Sequence, residues 1–214
     1  MAPRAVILTG ERDAGKTTLC LALAALSFRY DGLVSPRLFD SEGNRVGIAA
    51  KRLATGEEWV LARSDAELDG PRIGQFSFSS AGLERAVDSL RGILTRSRGT
   101  DGSAGTGCSP DAGDTPGPGV SPGTGDSPST GTSPGTAQQP VVIVDEIGPL
   151  ELEQGAGLAP VLPLLAGAGH LLLVVRPSLA DLVEALVPVH RRTFIVVTPE
   201  HRASLATAVD VLFD

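Results

Sequence analysis

Aromatic side chains are scarce, at 4% of the 214 residues, with one Trp and one Tyr. Any core must therefore be aliphatic, and a hydrophobic content of 42% is enough to build one. Cysteine is scarcer still. Cys20 and Cys108 supply neither a disulfide framework nor a metal-ligand spacing. Cys20 reads as a small core residue. His170, His190 and His201 form no motif and read as structural or surface groups. Asparagine occurs once, as Asn44 followed by Arg45 and Val46, so a guanine-reading Asn-Lys-x-Asp element is excluded. No apolar run approaches the ~20 residues needed to cross a bilayer, so no membrane association is expected. Leu19 to Leu26 is apolar, but Glu11 and Asp13 stand where a signal peptide needs positive charge. A reducing cytoplasm is the expected compartment.

The net charge is −7. Asp101, Asp111, Asp114 and Asp126 carry −4 of it within 101–136, a segment without Lys or Arg. The remainder is only mildly acidic, which argues against a broad footprint on a nucleic-acid backbone. Of those 36 residues, 28 are Gly, Ser, Thr or Pro. Such a composition cannot offset its ordering entropy by burial. The expected organisation is one domain from 1–96 and 140–214, interrupted by a disordered insertion at 97–139 that includes Cys108.

Lysine occurs only at positions 16 and 51, and the first of these falls in a motif. Arg4-Ala5-Val6-Ile7-Leu8-Thr9 reads as a buried strand. It runs into Gly10-Glu11-Arg12-Asp13-Ala14-Gly15-Lys16-Thr17-Thr18, and a Leu/Ala-rich helix without Gly or Pro follows to Arg29. A strand, G-x-x-x-x-G-K-T and a helix together make a phosphate-binding P-loop. Its glycines let backbone N–H groups close on the phosphates. Gly10 through Thr18 are the expected nucleotide contacts. Lys16 is the expected cation on the β/γ-phosphates and Thr17 a hydroxyl ligand to Mg²⁺.

A second stretch completes the set. Val141-Val142-Ile143-Val144 suits a central parallel strand buried on both faces. It ends in Asp145-Glu146, two carboxylates that are costly to bury unless they meet water or metal. Ligands of open α/β sheets bind at this strand edge. Asp145 is the expected metal partner, Glu146 the general base for the attacking water, and Gly148 a further nucleotide contact. Arg176 follows the His170 to Val175 strand and is either a cation for the γ-phosphate or a surface charge.

Between the two motifs, residues 32–62 read as a β-hairpin unit, with Gly32 to Ser35 leading in and turns at 40–44 and 55–57. Gln75 to Phe78 reads as a short strand. Leu83, Ala86, Val87, Leu90, Ile93 and Leu94 recur at helical spacing. Leu158 to Ala168 carries Pro160 and Pro163 and reads as a broken helix. Ser178 is expected to open a helix, Thr193 to Val197 to form a strand, and Thr198-Pro199-Glu200 to start the last helix. The fold class is α/β: a parallel sheet with helices on both faces.

Taken together these residues resemble the THEP-type nucleoside-triphosphatases, a P-loop NTPase family. The likeness is carried by Val142 to Leu152, by Gly32-Leu33-Val34-Ser35, Arg45-Val46-Gly47-Ile48 and Thr55-Gly56-Glu57, by Gly74 to Phe78, and by Thr198 to Arg202. It spans nearly the whole chain outside 97–139. The resemblance implies Mg²⁺-dependent hydrolysis of ATP, GTP and other nucleoside triphosphates, and a catalytic strand beside the P-loop strand. Two departures stand out. Asp13 occupies a position where that family usually has Gly, and Phe39 stands where its hairpin commonly has Arg, with Arg37 two residues earlier. Two alternatives remain open: a nucleotide-gated binding module with slow turnover and a protein partner, or a kinase acting on a small molecule or nucleotide.

Overall fold

The computed structural model describes residues 2–98 and 139–214. Residues 99–138 of the expected insertion, with Cys108, lie outside the described residues, whereas 97 and 98, expected to belong to it, end a helix. The strands are β1 Ala5–Thr9, β2 Tyr30–Val34, β3 Arg37–Phe39, β4 Arg45–Arg52, β5 Glu58–Arg63, β6 Arg72–Ile73, β7 Phe76–Phe78, β8 Val141–Ile147, β9 His170–Val175 and β10 Arg192–Val196. The helices are α1 Lys16–Leu26, α2 Ser80–Arg98, α3 Pro149–Leu152, α4 Leu162–Leu165, α5 Ala180–Glu184 and α6 Arg202–Val211.

All ten strands belong to one sheet in the order β10-β1-β9-β8-β2-β4-β5-β7-β6, with β3 paired to β4. From β10 to β2 the pairs are parallel. From β2 onward they are antiparallel. The parallel part follows from residues apolar on both faces. Ala5 and Ile7 of β1, Val142 and Val144 of β8, and Leu171 and Leu173 of β9 point into one core, with α2, α4 and α5. Val6 and Leu8, Val141 and Ile143, and Leu172 and Val174 point into the other, with α1 and α6. This period-2 alternation buries both faces under helices.

The order corrects one implication of the resemblance. β8, which carries Asp145, is not beside β1. β9 lies between them, pairing Leu171 with both Ala5 and Val142. Gly32 to Val34 is likewise not a lead-in to a hairpin. It belongs to β2, which extends the parallel sheet by pairing with β8 from Tyr30↔Val141 to Leu33↔Val144. Gly32 is required there, since a Cβ would stand 2.0 Å from the carbonyl oxygen of Ile143.

Two helix starts also differ from expectation. A 3₁₀ turn over Pro177–Leu179 precedes α5 at Ala180. The last helix begins at Arg202, not at Pro199. Thr198 Oγ1 lies 3.0 Å from His201 Nδ1, a local bond that holds 198–201 as a turn. Leu158 to Ala168 is broken as expected, into a 3₁₀ turn over Ala159–Val161 and α4. Among the described residues no helix is long and apolar enough to cross a membrane.

Candidate functional site

The loop from β1 to α1 is held by its backbone. Gly10 has φ 140°, and a Cβ there would meet the Val197 carbonyl oxygen at 2.4 Å. Gly15 caps α1 at φ 94°, with no side chain bonded to the helix start. The first-turn N–H groups are therefore not taken by a capping side chain and present the positive end of the helix dipole. Asp13 adopts φ 70°, a conformation Asp tolerates better than most residues. Lys16 is buried. Its Nζ donates to the carbonyl oxygens of Gly10 at 2.6 Å and Glu11 at 2.9 Å. These bonds hold the ammonium inside the loop.

Asp145 closes the run of five consecutive buried residues of β8 and is 2% exposed. The Thr17 hydroxyl donates to its carboxylate, and so does the Ser35 amide, at 3.4 Å to Oδ2. The Ser35 hydroxyl donates to the Asp145 carbonyl oxygen at 2.5 Å. Burial pushes the Asp145 pKa up to about 6, with the Glu146 charge adding to the rise; the Thr17 and Ser35 bonds and the Lys16 charge pull against it. Glu146, next in the chain, stays partly exposed and accepts from Arg176 Nε at 2.6 Å.

The turn after β8 is fixed from within. Glu151 is buried and accepts from the Gly148 amide at 2.9 Å and the Leu158 amide at 3.2 Å. Burial nonetheless raises its pKa, and the two amides oppose that rise. The Gly148 N–H, an expected nucleotide contact, is thus committed to Glu151.

The antiparallel strands make a wall over this edge. Val34, the last residue of β2, pairs with Lys51, so residues 45–50 of β4 stand beyond the end of β2. At about 3.3 Å per residue that overhang is roughly 20 Å. Arg37 of β3 forms an ion pair with Asp13 of the loop. This pair ties the wall to the loop. A cleft of about 1110 Å³ lies between them, and Arg12, Asp13, Gly15 to Thr18, Asp145, Glu146 and Gly148 line it. A smaller cavity of about 300 Å³ opens toward β10, lined by Gly10, Glu11, Ala14 and Thr198-Pro199. All twelve expected site residues border one or the other.

A family model described as NTPase matches residues 5–97. Nucleoside-triphosphatase THEP1 of Methanopyrus kandleri is 29% identical over 158 residues, which are 72% of this chain and 63% of that protein. The match thus spans less than two thirds of that relative's length. Among solved structures, THEP1 from Aquifex aeolicus superposes with a TM-score of 0.63 at 17% identity, covering 98% of this chain and 99% of that one. A human cancer-related nucleoside triphosphatase gives 0.61 at 22%, covering 98% and 96%. The chain thus shares the fold of these two structures.

Several site residues were not foreseen. Ser35, the last residue of the THEP-like Gly32-Leu33-Val34-Ser35 string, holds Asp145 through its amide and hydroxyl. Glu151, within the THEP-like Val142 to Leu152 string, braces the turn after β8 through the Gly148 and Leu158 amides. Neither role has a local signal, because each depends on which strand lies beside β8. The Arg37–Asp13 pair joins positions 24 apart and is equally silent in sequence. His170 is buried and accepts from the Arg4 amide at 3.1 Å, in line with a structural histidine.

Proposed function

We propose that this chain binds a nucleoside triphosphate with Mg²⁺ and hydrolyses it to diphosphate and phosphate. The observation that carries the reading is the hydrogen bond from Thr17 to Asp145. It joins the start of α1 to the end of β8 across an intervening strand. In an unrelated α/β protein nothing requires those two side chains to meet.

The donor set suits Mg²⁺. Among the described residues there is no group of three or more His, Cys, Asp or Glu that would cage a cation. Mg²⁺ needs none, since it binds through one or two protein oxygens, the substrate phosphates and water. Thr17 and Asp145 supply those oxygens. The raised pKa of Asp145 is that of a buried carboxylate lacking a full counter-charge. When bound, the metal would neutralise charge on the β- and γ-phosphates.

The rest of the work falls to the chain. The phosphates lie against the open amides at the α1 start. Lys16 exchanges its two carbonyl acceptors for phosphate oxygens and stabilises charge on the transferred group. Glu146 accepts the proton of the attacking water, and Arg176 fixes the carboxylate's orientation. Ribose and base extend toward the smaller cavity at Thr198-Pro199. Water as acceptor is favoured over an organic hydroxyl because the Asp145-Glu146 pair places a base beside the metal position.

The test is phosphate release from a panel of nucleoside triphosphates with and without Mg²⁺. Release should require Mg²⁺ and fall at least about a hundredfold in Glu146→Gln, in line with loss of a general base. It should vanish in Lys16→Ala. Undiminished turnover in Glu146→Gln would remove the base assignment. Absence of any Mg²⁺-dependent nucleotide binding would remove the whole reading.

A further inference from the structure

The main cleft is larger than a nucleotide's phosphates require. At about 1110 Å³ it exceeds the roughly 300–1,000 Å³ of most small-molecule sites. Its two ends also differ chemically. The loop, Asp145 and Glu146 form the polar end. Leu33, Ile48, Leu61, Phe78 and Leu83 line the end beneath the wall, which is apolar and offers nothing to a phosphate chain.

Arg45 lies on the wall side of this cleft. It opens β4, on the overhang above the sheet edge, and its guanidinium carbon stands 5.1 Å from the centroid of the Phe76 ring. Its Nε is buried and has no hydrogen-bond partner among the described residues. A buried donor without an acceptor is costly and calls for an explanation. After burial, the charges that act on it most are Arg37 and Arg12, with Glu146 opposing them and Arg176 adding to them. Arg37 is matched by Asp13, and Glu146 is matched by Arg176. Burial and the neighbouring guanidiniums together push the Arg45 pKa down. The region therefore offers an unpartnered guanidinium, an aromatic ring beside it, and an adjoining apolar surface.

We propose that the wall end of the cleft binds a second ligand alongside the nucleotide: a small organic anion. Its phosphate or carboxylate head pairs with Arg45, and its planar or apolar body packs along Phe76, Phe78 and Leu61. Arg suits this task because its fork matches either head group in two parallel hydrogen bonds. The Phe76 ring attracts the cation and helps hold it at the cleft wall. The apolar lining selects against free inorganic phosphate, which has no body to bury. The idea rests on the preceding reading only in assigning the polar end to the nucleotide.

The experiment titrates phenyl phosphate and, separately, benzoate into protein saturated with Mg²⁺ and a nucleoside diphosphate. Binding is read by saturation-transfer NMR, with inorganic phosphate as the control. At least one aromatic anion should bind the loaded protein without displacing the nucleotide, and inorganic phosphate should not. The responding arm says whether the head is a phosphate or a carboxylate. Arg45→Gln should weaken that binding tenfold or more while leaving nucleotide affinity intact, which also reports that the variant is folded. Phe76→Ala should weaken the aromatic probe in the same way. The proposal is overturned if neither anion binds, if binding occurs only at the nucleotide's expense, or if Arg45→Gln binds as well as the parent chain. Failure of the nucleotide reading appears separately, as no diphosphate binding at the outset.

Discussion

Replacing Asp145 by Asn gives a quantitative test of how this site is built. In the folded, metal-free chain the Asp145 pKa is raised from its ordinary 3.8 to about 6, chiefly by burial. A raised folded value means that the proton-bound form favours folding. That contribution is complete below pH 3.8 and is lost as pH rises through about 6. A difference of about two pH units corresponds to about 3 kcal/mol at ~1.4 kcal/mol per unit. The Asn variant has no proton to lose. Its amide keeps one acceptor oxygen for Thr17 but brings a buried donor, a cost of about 1 kcal/mol at every pH. In EDTA, the variant should therefore be about 1 kcal/mol less stable than the parent near pH 4. It should be about 2 kcal/mol more stable near pH 8. Urea unfolding at the two pH values reads the change directly. The raised Glu151 group is common to both proteins and cancels in the comparison. If the stability difference between them does not change with pH, the burial argument for Asp145 fails. Mg²⁺ supplies a second check, because it should stabilise the parent at pH 8 and leave the variant unmoved.

Other perturbations follow from single contacts. Gly32→Ala should cost more than about 3 kcal/mol in thermal or urea unfolding, because its Cβ meets backbone 2.0 Å away between two paired strands; a cost below 1 kcal/mol would contradict the close β2–β8 approach. Glu151→Ala should cost about 2–4 kcal/mol by leaving the Gly148 and Leu158 amides without an acceptor, and Glu151→Gln should recover part of it; equal loss in both would contradict the brace. Asp13→Gly should tighten nucleotide binding about fivefold in a titration, since it removes a negative charge beside the phosphates and frees Arg37 from its partner; unchanged affinity would mean that Arg37 already cancels that charge. Arg176→Ala should lower kcat with little change in KM, as expected of a group that orients Glu146; a pure KM effect would instead assign Arg176 to substrate binding.

What could be read from the chain alone was whatever is decided by neighbours in sequence. The loop from Gly10 to Thr18 needs only its own glycines, lysine and hydroxyl, flanked by a strand and a helix. β8 announces itself through four β-branched residues, and α2 through its apolar stripe. Sheet order is another matter. β9 is apolar on both faces, like β1 and β8, so nothing in its composition states that it slots between them. β2 was harder still. Gly32 lowers its strand character, and the need for that glycine arises from Ile143, more than a hundred residues away. The late start of α6 reflects competition: Pro199 favours a first helical turn, but the Thr198–His201 contact stabilises a turn instead. The residues lining the cavities were legible and their supports were not, since Ser35 and the Arg37–Asp13 pair are defined by neighbours distant in sequence.

One hydrogen-bonded ribbon carries both the phosphate loop and the overhanging wall, without a linker between them. A hinge would require breaking strand pairs at β2–β4, where only Leu33 and Val34 are matched to β4. A side-chain route into the cleft would need no strand pair broken. Arg37 reaching across to Asp13 is the crossbar, and undoing that single exposed contact opens the mouth without disturbing a strand. Traffic through the cleft should accordingly quicken with ionic strength, as added salt loosens the crossbar.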